Sequence, residues 1–144
     1  MQLALLPYLC AVKNPFVRGD IRQYSKIVED TEIAEFPSGT VHPVYSTFSL
    51  ARDAEWSTRL FVLEMKEVDE EGIGTFVEVR HHSPALVGME VIFTAKLESV
   101  LGHEVICSFE AHVEERLIAT GRTGQKILKK EKVERLFGSL GTEV

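Results

Sequence analysis

From residue 75 onward the chain alternates apolar and polar positions. In "MEVIFTAKLE" Val91, Phe93, Ala95 and Leu97 alternate with Ile92, Thr94, Lys96 and Glu98, and Val105, Cys107, Phe109, Ala111 and Val113 alternate with Ile106, Ser108, Glu110 and His112. A two-residue period puts each set on its own face of a strand, so both segments are expected as half-buried antiparallel strands. "TFVEVRHH" before them and Leu117 to Leu128 after them complete a run of four. "SVLGH" with Gly102, and "EER" from Glu114 to Arg116, are short enough for hairpin turns. Earlier, "DIRQYSKIVED" from Asp20 to Asp30 has patchy strand character. The following "EFPSGTVHP" reads as a loop punctuated by Pro37, Gly39 and Pro43.

Between these regions the period lengthens. Ser46 or Thr47 can cap a helix, with Phe48, Ala51, Ala54 and Glu55 near one face and Leu60, Phe61 and Leu63 continuing it. The helix is expected to stop before "KEVDEEGIG", whose charges and glycines read as a solvated loop. "KKEKVERLFGSL" can form a final short helix. The order of one strand, one long helix and four antiparallel strands implies an α+β hot-dog fold. Its five-stranded antiparallel sheet wraps one long central helix, and a short C-terminal helix follows. A ferredoxin-like sandwich needs a second long helix, for which Gly74 to Leu128 has no room. One small sheet with an open edge invites pairing with a copy of itself, so a homodimer is expected.

A length of 144 residues suits one domain, assigned to residues 20–144 behind an N-terminal extension, residues 1–19. The net charge of −6 argues against a general nucleic-acid binder, which needs clustered Lys and Arg. "MQLALLPYLCAV" lacks a basic n-region and a small-residue cleavage pattern, so it is not read as a signal peptide, and it is too short to span a bilayer. Cys10 and Cys107 match no zinc or CxxC spacing and are read as packing residues of a cytoplasmic protein.

Two polar clusters stand out: Thr47 with Glu55 near the helix start, and His81 with His82 at a strand end. Eight residues advance a helix by about 80° beyond two turns, so Thr47 and Glu55 can flank one groove. A carboxylate on an inward face needs a partner or a raised pKa, and His81 is a candidate partner. Plainer readings stand beside these. Thr47 alone is most simply an N-cap hydroxyl, Glu55 can face solvent beside Arg52 or Arg59, and Asp53 is read as a solvated helix charge. Adjacent strand residues point to opposite faces, so one of His81 and His82 faces the helix. No metal-ligand spacing is present.

The residues also carry a family resemblance. "VYSTFSLARDAEW", "GIGTFVEVRHHSPALVGMEVIFTAKL" and "IATGRTGQKIL" resemble the hot-dog thioesterases of the fluoroacetyl-CoA thioesterase type, from about Asp20 to Phe137. In that family a threonine lies eight residues before a Glu-Trp pair, and a histidine seven residues after the glycine of a Gly-Thr pair. Here Thr47 precedes Glu55-Trp56, and His81 follows Gly74-Thr75. The resemblance implies Thr47, Glu55 and His81 as catalytic residues, with Gly74 in the same site, and it selects His81 over His82. It also sets Phe36 against a lid phenylalanine, although the stretch from "EFP" to Thr47 is longer here, so His42, Pro43, Val44 and Tyr45 are expected to line the acyl pocket. Gln125 stands where the fluoroacetyl-specific member has an arginine, so fluorine discrimination is not implied.

What the resemblance implies is hydrolysis of a short or medium acyl-CoA. Glu55 would be nucleophile or general base, His81 would carry a proton and Thr47 would orient the carboxylate or carbonyl. Coenzyme A enters as part of the substrate, and no cofactor or metal is required. Arg80, Lys126, Lys129 and Lys130 are candidates for its phosphates. A non-catalytic acyl-CoA binding module on the same fold is the competing expectation.

Overall fold

The computed structural model describes residues 12–141, so Cys10 and most of the expected N-terminal extension lie outside the described residues. Strands β1 (Ile21–Ile27), β2 (Ile33–Phe36) and β3 (Gly39–Tyr45) precede helix α1 (Thr47–Met65). Strands β4 (Glu70–His81), β5 (Glu90–Leu101), β6 (Glu104–Val113) and β7 (Arg116–Lys129) then lead to helix α2 (Lys130–Leu140). Five strands form an antiparallel sheet in the order β1-β5-β6-β7-β4, wrapped around α1. This is the expected hot-dog arrangement.

The two-residue period predicted the buried face well. Val91, Phe93, Ala95 and Leu97 of β5 and Val105, Cys107, Phe109 and Ala111 of β6 all turn inward. They meet Leu50, Ala54, Phe61, Val62 and Met65 of α1 in two adjoining apolar clusters. The helix stops at Met65, as its pattern predicts, and the Lys66 N–H closes on the Val62 carbonyl at 2.9 Å. Small polar residues fill the tighter contacts: Ser57 Oγ donates to the Ala54 carbonyl, and Thr123 Oγ1 on β7 donates to Thr58 Oγ1 at 2.8 Å.

Two loop expectations need correction. "EFPSGTVHP" is largely a second small sheet, in which β2 and β3 pair as an irregular hairpin with register shifts on either side of Ala34. Pro43 tolerates this because the hairpin is an exposed two-stranded ribbon, where a missing N–H is not missed. "DEEGIG" is mostly strand: Glu70 to Gly74 ladder with Lys129 to Gln125, and the charges that suggested a loop lie along a sheet edge. Val12 and Phe16 pack on the domain, Val12 buried in the cluster that holds Phe61, Val62 and Met65, and Phe16 edge-on to Phe61 at 5.1 Å.

Gly121 on β7 is fixed by this packing. A Cβ there would collide with the Glu78 carbonyl and the Phe109 ring, neither of which is a flexible side-chain tip. Gly121→Ala is therefore expected to cost about 1–3 kcal/mol through overpacking, read as a lower urea midpoint at unchanged m-value.

Candidate active site

The start of α1 frees Thr47 for other work. Ser46 is the N-cap, its Oγ accepting the Ser49 N–H at 3.1 Å, so the capping role expected most simply for Thr47 is already filled. The Thr47 hydroxyl instead shares a 3.1 Å hydrogen bond with His81 Nδ1 at the far end of β4.

A bulge brings His81 to that hydroxyl. Gly74 pairs with Gln125 and Phe76 with Gly124, leaving Thr75 as an extra residue in β4. Gln125 faces inward, because its Nε2 reaches Thr58 Oγ1 on α1 at 3.4 Å, so Gly74 beside it faces inward too. In a regular strand an odd separation of seven would turn Gly74 and His81 to opposite faces. The extra residue at Thr75 restores the phase and leaves both facing the helix. His82 points outward, is exposed, and hydrogen-bonds Thr120 Oγ1 at 2.8 Å.

Glu55, two turns along α1 from Thr47, lays its carboxylate against Gly74, where a Cβ would collide with Oε1. It is half-buried and has no hydrogen-bond partner for its side chain among the described residues. The expected Glu55–His81 pairing is not made: His81 bonds Thr47, and Glu55 rests on Gly74. One turn further, Arg59 Nη1 donates to the Gly72 carbonyl at 2.9 Å and to Gln125 Oε1 at 3.3 Å. Gln125 is 1% exposed and closes this end of the groove with Arg59. Thr47, Glu55, Gly74 and His81 thus follow one line along the seam between α1 and β4.

His81 Nε2 is the one buried side-chain polar atom without a hydrogen-bond partner among the described residues. Burial is the main cause holding its pKa below the ordinary histidine value; the Ser83 backbone opposes this shift and the neighbouring His82 adds to it. A neutral imidazole at pH 7, with one nitrogen on a hydroxyl and the other unengaged, can accept a proton during a reaction.

The remaining expected residues are spread over the hairpin. Phe36 is exposed and meets Phe48 edge-on at 5.9 Å, just past Thr47. His42 is exposed on β3 opposite Ala34. Tyr45 is in the core rather than on an open wall, and its hydroxyl donates to Asp53.

Asp53 corrects another expectation, since it is 4% exposed rather than solvated. It accepts from Tyr45 and from Arg52, and Arg52 also reaches Glu32, which is 2% exposed and accepts from Lys26 Nζ at 2.8 Å. Burial pushes the Glu32 carboxyl up, but Lys26, the Glu29 N–H and Arg52 outweigh it and hold the pKa below the usual value. Sequence reasoning missed this cluster. Its only signal was Asp53 lying seven residues after Ser46, on the flank of α1 that carries Leu50 and Ser57.

Comparison with known proteins agrees with the fold. A sequence model of the family described as fluoroacetyl-CoA-specific thioesterase matches residues 28–131. Among curated protein sequences none matches the chain. Among solved structures, a thioesterase superfamily member from Thermus thermophilus is 39% identical, with 88% of this chain and 93% of that one covered and a TM-score of 0.84. A hot-dog-like protein from Thermanaerovibrio acidaminovorans is 21% identical over 89% of this chain and 96% of its own, at a TM-score of 0.79. A mutant fluoroacetyl-CoA thioesterase in complex with acetyl-CoA is 20% identical, covering 88% and 100%, at a TM-score of 0.80. The last two speak for the fold. From the family match and the 39% relative, the chain belongs to the fluoroacetyl-CoA-specific thioesterase family and is a thioester hydrolase of hot-dog fold.

Proposed function

We propose that this protein hydrolyses a short or medium acyl-CoA to the free acid and coenzyme A, with Glu55, Thr47 and His81 as its catalytic residues. The observation that carries the proposal is the seam itself: three residues of the family pattern lie along one groove, with Thr47 bonded to His81 and Glu55 set on Gly74. A thioester carbonyl seated over Gly74 meets the Glu55 carboxylate, which attacks it directly or takes a proton from water that does. The Thr47 hydroxyl and the backbone N–H groups of the first turn of α1 lie at the positive end of the helix dipole, suited to a negatively charged part of the substrate at that end of the groove. His81, bonded to Thr47 at that end, is the proton carrier of the site. Arg59 and Gln125 close the groove one helical turn, about 6 Å, beyond Glu55, which favours a short acyl group.

The hairpin carrying Phe36 and His42 supplies the rest of the acyl wall, with Phe36 held over the helix start by Phe48. Tyr45 acts behind the wall as support. The active form is a homodimer in the cytoplasm, joined along β4, an edge strand with β7 as its only sheet neighbour among the described residues. Val77, Phe48 and Trp56 stay 37%, 54% and 42% exposed in the protomer, and a partner at this edge would cover them. The groove then lies beside the subunit interface.

These proposals have separate tests. Release of free thiol from a panel of acyl-CoAs should fall about 100-fold or more in Glu55→Gln and in His81→Ala, while His82→Ala stays within about threefold of wild type. If wild type and Glu55→Gln release thiol equally slowly yet both bind the esters, the protein is a binding module. Light scattering should give about twice 16.2 kDa. For His81 the pH effect has a definite sign. The unfolded chain takes up a proton as pH falls through the ordinary value of 6.5, whereas the folded ring resists until lower pH, so folding stability drops below 6.5 and gains nothing above it. Urea midpoints at about pH 7.5 and about pH 5.5 should differ less in His81→Asn than in wild type.

A further inference from the structure

Five polar side chains from four segments meet beneath the start of α1: Lys26 of β1, Glu32 of the single 3-10 turn Asp30–Glu32, Tyr45 at the end of β3, and Arg52 and Asp53 of α1. Two carboxylates and two cations balance in charge, and the Tyr45 hydroxyl fills a remaining acceptor site on Asp53. Buried ion pairs contribute little net stability, because desolvation offsets most of their attraction. Their orientation is another matter, since every member is held by at least one partner on a different segment.

The residues fixed by this cluster adjoin Thr47. The Tyr45 side chain is tied to Asp53, two turns along the helix, and its N–H donates to the Ala85 carbonyl at 2.9 Å. The Ser46 N–H donates to the Glu32 carbonyl at 2.8 Å, and the Glu32 side chain is gripped by Lys26 and Arg52. Ala85 belongs to the loop that leaves His81. That loop is anchored by the His82 N–H on the Ile118 carbonyl at 2.7 Å and by Arg116 on Ser83 Oγ at 2.9 Å and on the Pro84 carbonyl. Thr47 and His81 therefore hang from one frame, and their 3.1 Å contact closes it.

We propose that Asp53, acting through Tyr45, is a positioning residue that sets the Thr47–His81 contact. The proposal rests on the catalytic reading of Thr47 and His81 above. Neither Asp53 nor Tyr45 reaches the groove; removing their bond loosens residue 45, and through it the first turn of α1, against the His81 loop. A misplacement of tenths of an ångström in a proton-transfer pair is felt in turnover before it is felt in binding.

Tyr45→Phe keeps the ring and deletes only the hydroxyl, and Asp53→Asn keeps the size and deletes the charge. Each should lower kcat about tenfold with KM within about twofold of wild type. Each should also shift the His81 ring signals in nitrogen-15 NMR of the full-length protein. On a Thr47→Ala background, Tyr45→Phe should lower kcat no further, because the contact it serves is already gone. Unchanged kcat and unchanged His81 signals, with only Tm reduced, would overturn the proposal, and so would a full additional loss of kcat on the Thr47→Ala background. If wild type releases no thiol from any acyl-CoA, the proposed function fails instead, and the His81 signals of Tyr45→Phe alone decide the positioning.

Discussion

The close approach of α1 to β4 is the constraint on which the rest of this structure depends. One helix has to fill the concave side of a five-stranded sheet, and along β4 it does so across two glycines. A side chain at Gly72 would strike Val62 and Arg59, and one at Gly74 would strike the Glu55 carboxylate. Gly72 lets the helix seat on the strand, while Gly74 leaves room for a carboxylate where a core would otherwise place a methyl group. The half-burial of Glu55 follows from this geometry. Toward Thr47 the inner face of β4 is less covered, and Val77 there stays partly open. One end of the seam is thus sealed by Val62, Arg59 and Gln125, and at the other Val77 and Thr47 are exposed.

Much of this was legible in the sequence, for reasons that differ between elements. Strands β5 and β6 were readable because one face of each is apolar without interruption, and the length and end of α1 were readable because apolar residues recur until Met65. The first half of β4 was not, because an edge strand can carry "DEEG" with Asp69 exposed, Glu71 half-buried and the one buried acid, Glu70, accepting the Glu67 N–H. The β2–β3 hairpin was hidden by Pro37, Gly39 and Pro43, which mark a turn equally well whether or not its arms pair. In the candidate site the family spacing named Thr47, Glu55, Gly74 and His81, but no period rule could say why seven residues separate two that share a face. That reason is a bulge at Thr75, a feature of pairing with β7 rather than of β4 alone.

Asp53 was misread for a related reason. A helical wheel reports the face on which a residue lies, and an acid on any face is first assigned to water. What reversed this was the joint presence of Arg52, Lys26, Glu32 and the Tyr45 hydroxyl, contributed from 27 residues before it to one residue before it in the chain. Burial of a charge is tolerable when partners satisfy it: the buried Tyr45 hydroxyl and the largely exposed Arg52 both reach Asp53, and the Tyr45 contact is visible only once β3 has been brought to the helix.

The site is therefore a line rather than a cluster, and this explains its sensitivity to strand phase. Eight residues of helix separate Thr47 from Glu55 by about 12 Å of rise, too far for any direct bond, so neither can hold the other in place. Each is located by β4 instead, Thr47 through His81 and Glu55 through Gly74. A spacing of six or eight between Gly74 and His81 would put both on the inner face of a straight strand, whereas seven does so only with one residue looped out. The same bulge turns Phe76 outward over Gly124, where its ring occupies the space a side chain would need. Gly124 and Phe76 thus stabilise the irregularity that keeps His81, and not His82, on the Thr47 hydroxyl.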